Sequence, residues 1–209
     1  MKRAVRGLFG RSILLALALG VCGVAMAASS SARSGSGGAH CGSPKARTLA
    51  YSSDGRVYSL RGTVYGCAGK RQFRLGQSGS VSGEGVVAPI VVAGRVAAYV
   101  SETSGYDFAR ATVYVRNLAD GRQLFNSPAL RNSRTTGEGG QSVDSLVAKP
   151  DGNVAWIAKW EFNSAPIVEV HRRQNVLDQG RTIRAHSLTL HGSLLTWRHG
   201  STTRHARLR

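Results

Sequence analysis

The residues best placed to do chemistry in this chain are Glu102, Tyr106 and Asp107 in "SETSGYDF", and Trp160 and Glu161 closing "WIAKWE". Two carboxyl groups facing one glycosidic bond can divide acid and base work, and aromatic rings beside them offer a stacking platform. Both segments follow an apolar run at corresponding places of a repeated pattern, so they are expected at one rim of the fold. This pattern supports a ligand-binding face, and no residue in it is assigned a catalytic role. Asp54, Asp120 and Asp151 each precede a glycine and are accounted for by turn chemistry, in which Asp bonds its own backbone.

Other chemistries find less support. "GQSGS" and "GSVSG" around residues 76–83 miss the spacing of a strand–turn–helix nucleophile elbow. The six histidines are His40, His171, His186, His191, His199 and His205. Four crowd the C-terminal segment, but their spacings match no compact ligand motif. No metal site and no cofactor are expected. Nucleic-acid binding would interleave aromatics with arginine on one face; "VYVRNL" and "TWRHGSTTRHARLR" come nearest, and neither sustains the pattern.

The chain opens with Lys2, Arg3, Arg6 and Arg11, an apolar run over 12–24, and Ala25-Met26-Ala27. That is the order of a secretory signal with cleavage after Ala27. The apolar run falls short of the roughly 20 residues a spanning helix needs, so no stable membrane span is expected after cleavage and the protein is read as secreted. Removing residues 1–27 takes four positive charges and no acid, so +17 becomes +13. Arginine carries most of that charge, and its planar fork suits phosphate and carboxylate. The excess implies either an anionic envelope polymer as partner or simply a solvated basic surface. Cys41 and Cys67 remain after cleavage, and an even pair in an oxidising compartment reads as one structural disulfide.

Residues 28–40 are Ser, Gly and Ala with no large apolar side chain, a flexible lead-in. From 41 to 209 no 3.6-period apolar stripe survives; short β-branched and aromatic runs alternate with Gly, Asp, Asn and Ser clusters. One phrase recurs as "LAYSSDGRVYSL", "IVVAGRVAAYV", "LVAKPDGNVAWIAKW" and "LTLHGSLLTW", around Gly55, Gly94, Gly152 and Gly192. Asp-Gly at 54–55 and 151–152 predicts two-residue type I′ hairpins, with Ala-Gly and His-Gly as weaker versions. A second strand–turn–strand phrase follows each of the first three, and the fourth ends at "TTRHARLR". Each repeat is thus about four short strands, the last lacking its outermost one. "NSPALRNSRTTGEGGQS" over 126–142 reads as an inserted loop. Trp156 and Trp197 fall in equivalent second strands, with Tyr58 or Tyr99 near that position elsewhere, and are expected in the core.

"VAKPDGNVAWIA" resembles the Pro-Asp-Gly turn of WD40-like propeller repeats, and "VYVRNLADGRQLF" is similar to the turn of quinoprotein-like blades. The chain also resembles small secreted proteins of high-GC Gram-positive bacteria. The resemblance implies an all-β, propeller-type assembly of about four repeats of four antiparallel strands, incomplete or four-bladed, with residues near Pro44–Ala50 completing the last blade. It implies no activity and no quinone. Three readings follow: an exported non-catalytic module binding an envelope ligand, an envelope glycoside hydrolase or lyase using rim carboxylates, or a scaffold pairing with another protein through an open strand edge.

Overall fold

The computed structural model describes residues 41–79, 83–131, 139–161 and 167–209. The expected signal sequence (1–27) and Ser/Gly segment (28–40) lie outside them. The alternating runs fold as fifteen strands, with no helix among the described residues. They form successive antiparallel meanders. The first sheet is β1 (Arg47–Tyr51), β2 (Arg56–Leu60), β3 (Thr63–Ala68) and β4 (Arg71–Gln77). The second meander is β5 (Gly83–Ala93), β6 (Val96–Ser104), β7 (Phe108–Asn117) and β8 (Gln123–Pro128). The third is β9 (Gly139–Ala148), β10 (Val154–Glu161), β11 (Ile167–Arg172) and β12 (Asn175–Gln179). A two-residue parallel ladder, Phe108 to Gly139 and Ala109 to Gly140, joins these two into one eight-stranded sheet. The last sheet has three strands, β13 (Thr189–His191), β14 (Leu194–His199) and β15 (Thr202–Arg207).

Successive meanders are stacked face to face, and the second strands of the two inner ones, β6 and β10, are buried on both sides. Along β6, Ala97 and Tyr99 pack toward the first sheet while Val96, Ala98 and Val100 pack toward the third meander. Along β10, Val154, Trp156 and Ala158 face back and Ala155 and Ile157 face the last sheet. Period-two alternation therefore serves two cores at once, which is why these strands read as continuous apolar runs.

One large aromatic per repeat marks the equivalence. Trp197 enters the cluster shared with the third meander, Trp156 the cluster shared with the second, and Tyr99 the cluster shared with the first sheet. All are nearly fully buried. Tyr58 has no preceding sheet to face. It packs instead with Cys41, Ala46 and Cys67 under the segment that the Cys41–Cys67 disulfide holds down. Arg56 locks the same segment, donating to the carbonyls of Cys41 and Ala46 at 3.2 and 2.9 Å and to Thr48 Oγ1 at 2.9 Å. So Pro44–Ala50 does not complete the last sheet: its C-terminal part lies in β1, paired with β2, and the residues before it cap the first sheet. Among the described residues no ladder and no apolar cluster joins the first sheet to the last.

The glycine-centred turns stack on one another. Ser52 Oγ donates to the Gly94 carbonyl at 2.6 Å, Pro150 packs against Gly94, and Lys149 Nζ donates to Ser193 Oγ at 3.2 Å. All four turns thus share one end of the stack. The two Asp-Gly turns are longer than expected. Tyr51 pairs with Arg56 and Ala148 with Val154, leaving four- and five-residue connections. Ser52 and Pro150 account for this: the Ser52 hydroxyl accepts from the Gly55 N–H, and Pro150 presets a turn one residue early. Of the four glycine turns, the two-residue ones are Gly94-Arg95 and Gly192-Ser193, with positive φ at the glycine alone, the type II′ pattern. The expected insertion over 126–142 is also shorter. Its ends belong to β8 and β9, and Ala129 and Leu130 are core residues; residues 132–138 lie outside the described set.

Candidate functional site

The predicted rim lies at the end of the stack opposite the four glycine turns. The turn after β6 carries Tyr106, fully exposed, and Asp107. The Asp107 carbonyl accepts from the Gly139 N–H at 2.9 Å, and Gly139 also lies beneath the Trp160 indole and the Glu161 carbonyl. The structure therefore brings Asp107, Trp160 and Glu161 together around the start of β9. Glu102 sits further along β6, paired across to Gly85 and Ala111. Glu161 is exposed and bound to Lys159 Nζ at 2.9 Å, and Asp144 lies 3.8 Å from the same nitrogen. The hydrogen bond to Glu161 holds the Lys159 ammonium above its ordinary range, against the opposing effect of partial burial and with help from Asp144.

Concave surface occurs elsewhere. A cleft of about 410 Å³ opens between the third meander and the last sheet at the glycine-turn end. It is lined by Asn153, Arg172, Arg173, Asn175, Arg207 and Arg209. A cleft of about 320 Å³ at the corresponding junction of the first two repeats is lined by Ser53, Asp54, Gly69 and Arg95, among others. A third, of about 300 Å³, includes Arg74, Gln77, Glu84 and Ser101. None of these three is lined by the rim residues.

Two buried polar constellations escaped the sequence reading. Asp178, on β12, accepts from Trp197 Nε1 at 2.7 Å, Arg204 Nη1 at 2.7 Å, the Gln179 N–H at 2.9 Å and the His199 ring at 3.0 Å. These donors match the roughly four acceptor sites of a carboxylate, so the buried charge is compensated and clamps the last sheet to the third meander. Glu169 and His171, both buried, pair at 2.8 Å, and the His171 ring stacks on Trp156 at 4.9 Å. The side-chain donors to Asp178 lie 19 to 26 residues along the chain, whereas Glu169 and His171 are only two residues apart on β11 and are marked out by their burial, which spacing does not show. The crowded histidines disperse instead. His191, His199 and His205 occupy three different strands, and His186 bonds the Asp144 carbonyl. No group of three His, Cys, Asp or Glu arranged to hold a metal occurs among the described residues.

Comparison with known proteins finds no matching family model, no matching curated protein and no matching solved structure. The Cys41–Cys67 disulfide points to an oxidising, extracytoplasmic setting. No helix among the described residues is long and apolar enough to cross a membrane.

Proposed function

We propose that this chain is an exported, non-catalytic β-repeat module that binds an anionic polymer at the cell envelope. The observation that carries this reading is how charge is partitioned. Glu169 and Asp178 are buried, Asp144 is nearly so, and Asp151 and Glu161 are neutralised by Lys149 and Lys159. Arg47, Arg61, Arg95, Arg122, Arg173 and Arg207 meanwhile stand exposed. Asp54, Glu84, Asp107 and Asp120 are exposed too, but exposed arginines outnumber them, so the outward field is positive, and such a field concentrates polyanions. In this reading the four meanders are consecutive blades of an incomplete propeller, open between the first sheet and the last.

The test is capture of the protein by purified cell wall, anionic polysaccharide and DNA at ~50 and ~200 mM salt, across which charge-driven binding falls steeply. Capture at low salt that collapses at high salt is expected. Absence of capture at low salt by all three would sink the proposal and favour a scaffold role. That second reading has its own observation: β15 has no ladder partner on its outer side among the described residues, and an open edge is a template for a partner strand.

A further inference from the structure

We infer that the cleft lined by Arg172, Arg173, Arg207 and Arg209 is a specific site for a phosphate ester group. The inference deepens the polyanion reading and rests on it for the source of the ligand. Four guanidinium-bearing residues and two carboxamides converge there from three segments: the turn before β10, the β11–β12 hairpin, and the end of β15. No acidic side chain lines the cleft, and none of the four arginines is paired with a carboxylate among the described residues. Asp151, two residues from Asn153, is already bound to Lys149 at 3.4 Å. Like charges gathered in one concavity repel, and an anion relieves that repulsion.

The site is also built. Arg172 Nη1 donates to the Arg207 carbonyl at 2.9 Å, which fixes its guanidinium across the junction of the two sheets. Arg173 is steadied from two sides, by the Phe125 ring 5.2 Å away and by Asn153 Oδ1 at 3.5 Å. Each is held through part of its fork, and phosphate oxygens suit the remaining donors. Arg173 moreover has φ 51°, a left-handed conformation that disfavours any residue with a Cβ. Glycine or asparagine is the ordinary occupant of such a turn position, so Arg173→Gly removes the head group from the cleft without straining the turn. The volume lies within the ~300–1,000 Å³ of small-ligand sites, room for a phosphate together with the group it esterifies.

Arg61 supplies the control: an exposed arginine with φ 50° in the β2–β3 hairpin, outside the cleft. The experiment titrates the full chain, disulfide formed, with inorganic phosphate, inorganic sulfate and a soluble poly(glycerol phosphate). Parent, Arg172→Gln, Arg173→Gly and Arg61→Gly are compared, with thermal melts of each. The expected result is one saturable phosphate site, weakened about tenfold or more by Arg172→Gln and by Arg173→Gly, the loss of one good charge-assisted contact. Arg61→Gly should change it less than about twofold, since a surface charge away from the site acts only through a screened field. Arg173→Gly should melt no lower than the parent. Equal losses in all three variants, with polymer binding retained, overturn the site and leave the polyanion reading standing. Phosphate binding without polymer binding supports the site for a small phosphorylated ligand and ends the polymer reading. Binding of neither overturns both.

Discussion

The indole nitrogen of Trp197 donates to the carboxylate of Asp178 across 2.7 Å, joining β14 to β12. This contact belongs to a series in which β6, β10 and β14 each present one large aromatic to the layer before them, and it is the member whose ring nitrogen bonds a buried carboxylate. Replacing Asp178 with Ala leaves the Trp197 N–H unpaired and Arg204 without its counter-ion. We expect a loss of about 3 kcal/mol, the low end for a broken buried pair because Arg204 is half exposed. Trp197→Phe keeps the other donors on the carboxylate and should cost less. Urea unfolding of both single variants and the double variant measures the coupling; strict additivity would contradict a shared network.

The Cys41 segment takes the place of a neighbouring sheet against Tyr58. The disulfide spans 26 residues, so reduction should remove ~3 kcal/mol in the chain-entropy model. Arg56→Met should loosen the same segment with the disulfide intact, through the loss of its donors to Cys41 and Ala46. Thermal melts of oxidised, reduced and Arg56→Met protein decide this. Coincident oxidised and reduced curves would mean the segment contributes nothing to the fold.

Alkaline pH should destabilise the fold. Burial raises the phenol of Tyr99, against the pull of Arg116, and burial likewise raises Tyr58 against the pull of Arg56. Lys159 is raised by its bond to Glu161. Above pH ~10, the ordinary range of both side chains, the unfolded chain releases these protons before the folded one does. The unfolded state then binds fewer protons, so stability falls as pH rises through the folded values and is fully present below ~10. Tyr99→Phe removes one titrating group and should shift the alkaline unfolding midpoint upward. A midpoint unmoved, or moved down by more than the neutral-pH stability change explains, would contradict the assignment.

Gly139 holds the candidate rim together. Its φ is 125°, and a Cβ there would approach Trp160 Nε1 to 2.6 Å and the Glu161 carbonyl to 2.9 Å. Gly139→Ala should cost about 1–3 kcal/mol, the scale of backbone strain at such a position, and displace the Trp160 indole. Tryptophan emission at neutral pH reports the displacement, because Trp156 and Trp197 are buried elsewhere. An unchanged spectrum with parental stability would show that the loops do not meet at Gly139.

What the sequence determined by itself was local: that the chain is strands and turns, where the repeats begin, which aromatics are core, and which cysteines pair. Strand alternation and turn residues act over a few positions, and the four glycine phrases announce themselves without any knowledge of neighbours. Even local signals misled where a side chain intervened. Ser52 and Pro150 lengthened the two Asp-Gly turns, and Ala129-Leu130 looked like loop, next to Pro128 and polar residues, yet packs in the core. Tertiary structure alone decided which faces meet. The Asp178 clamp and the arginine cleft each draw residues from segments that touch only after successive sheets have stacked, and the Glu169–His171 pair, local on β11, owes its burial to the packing around it. The partners in the clamp and the cleft follow from the order of that stacking, and no spacing along the chain encodes it.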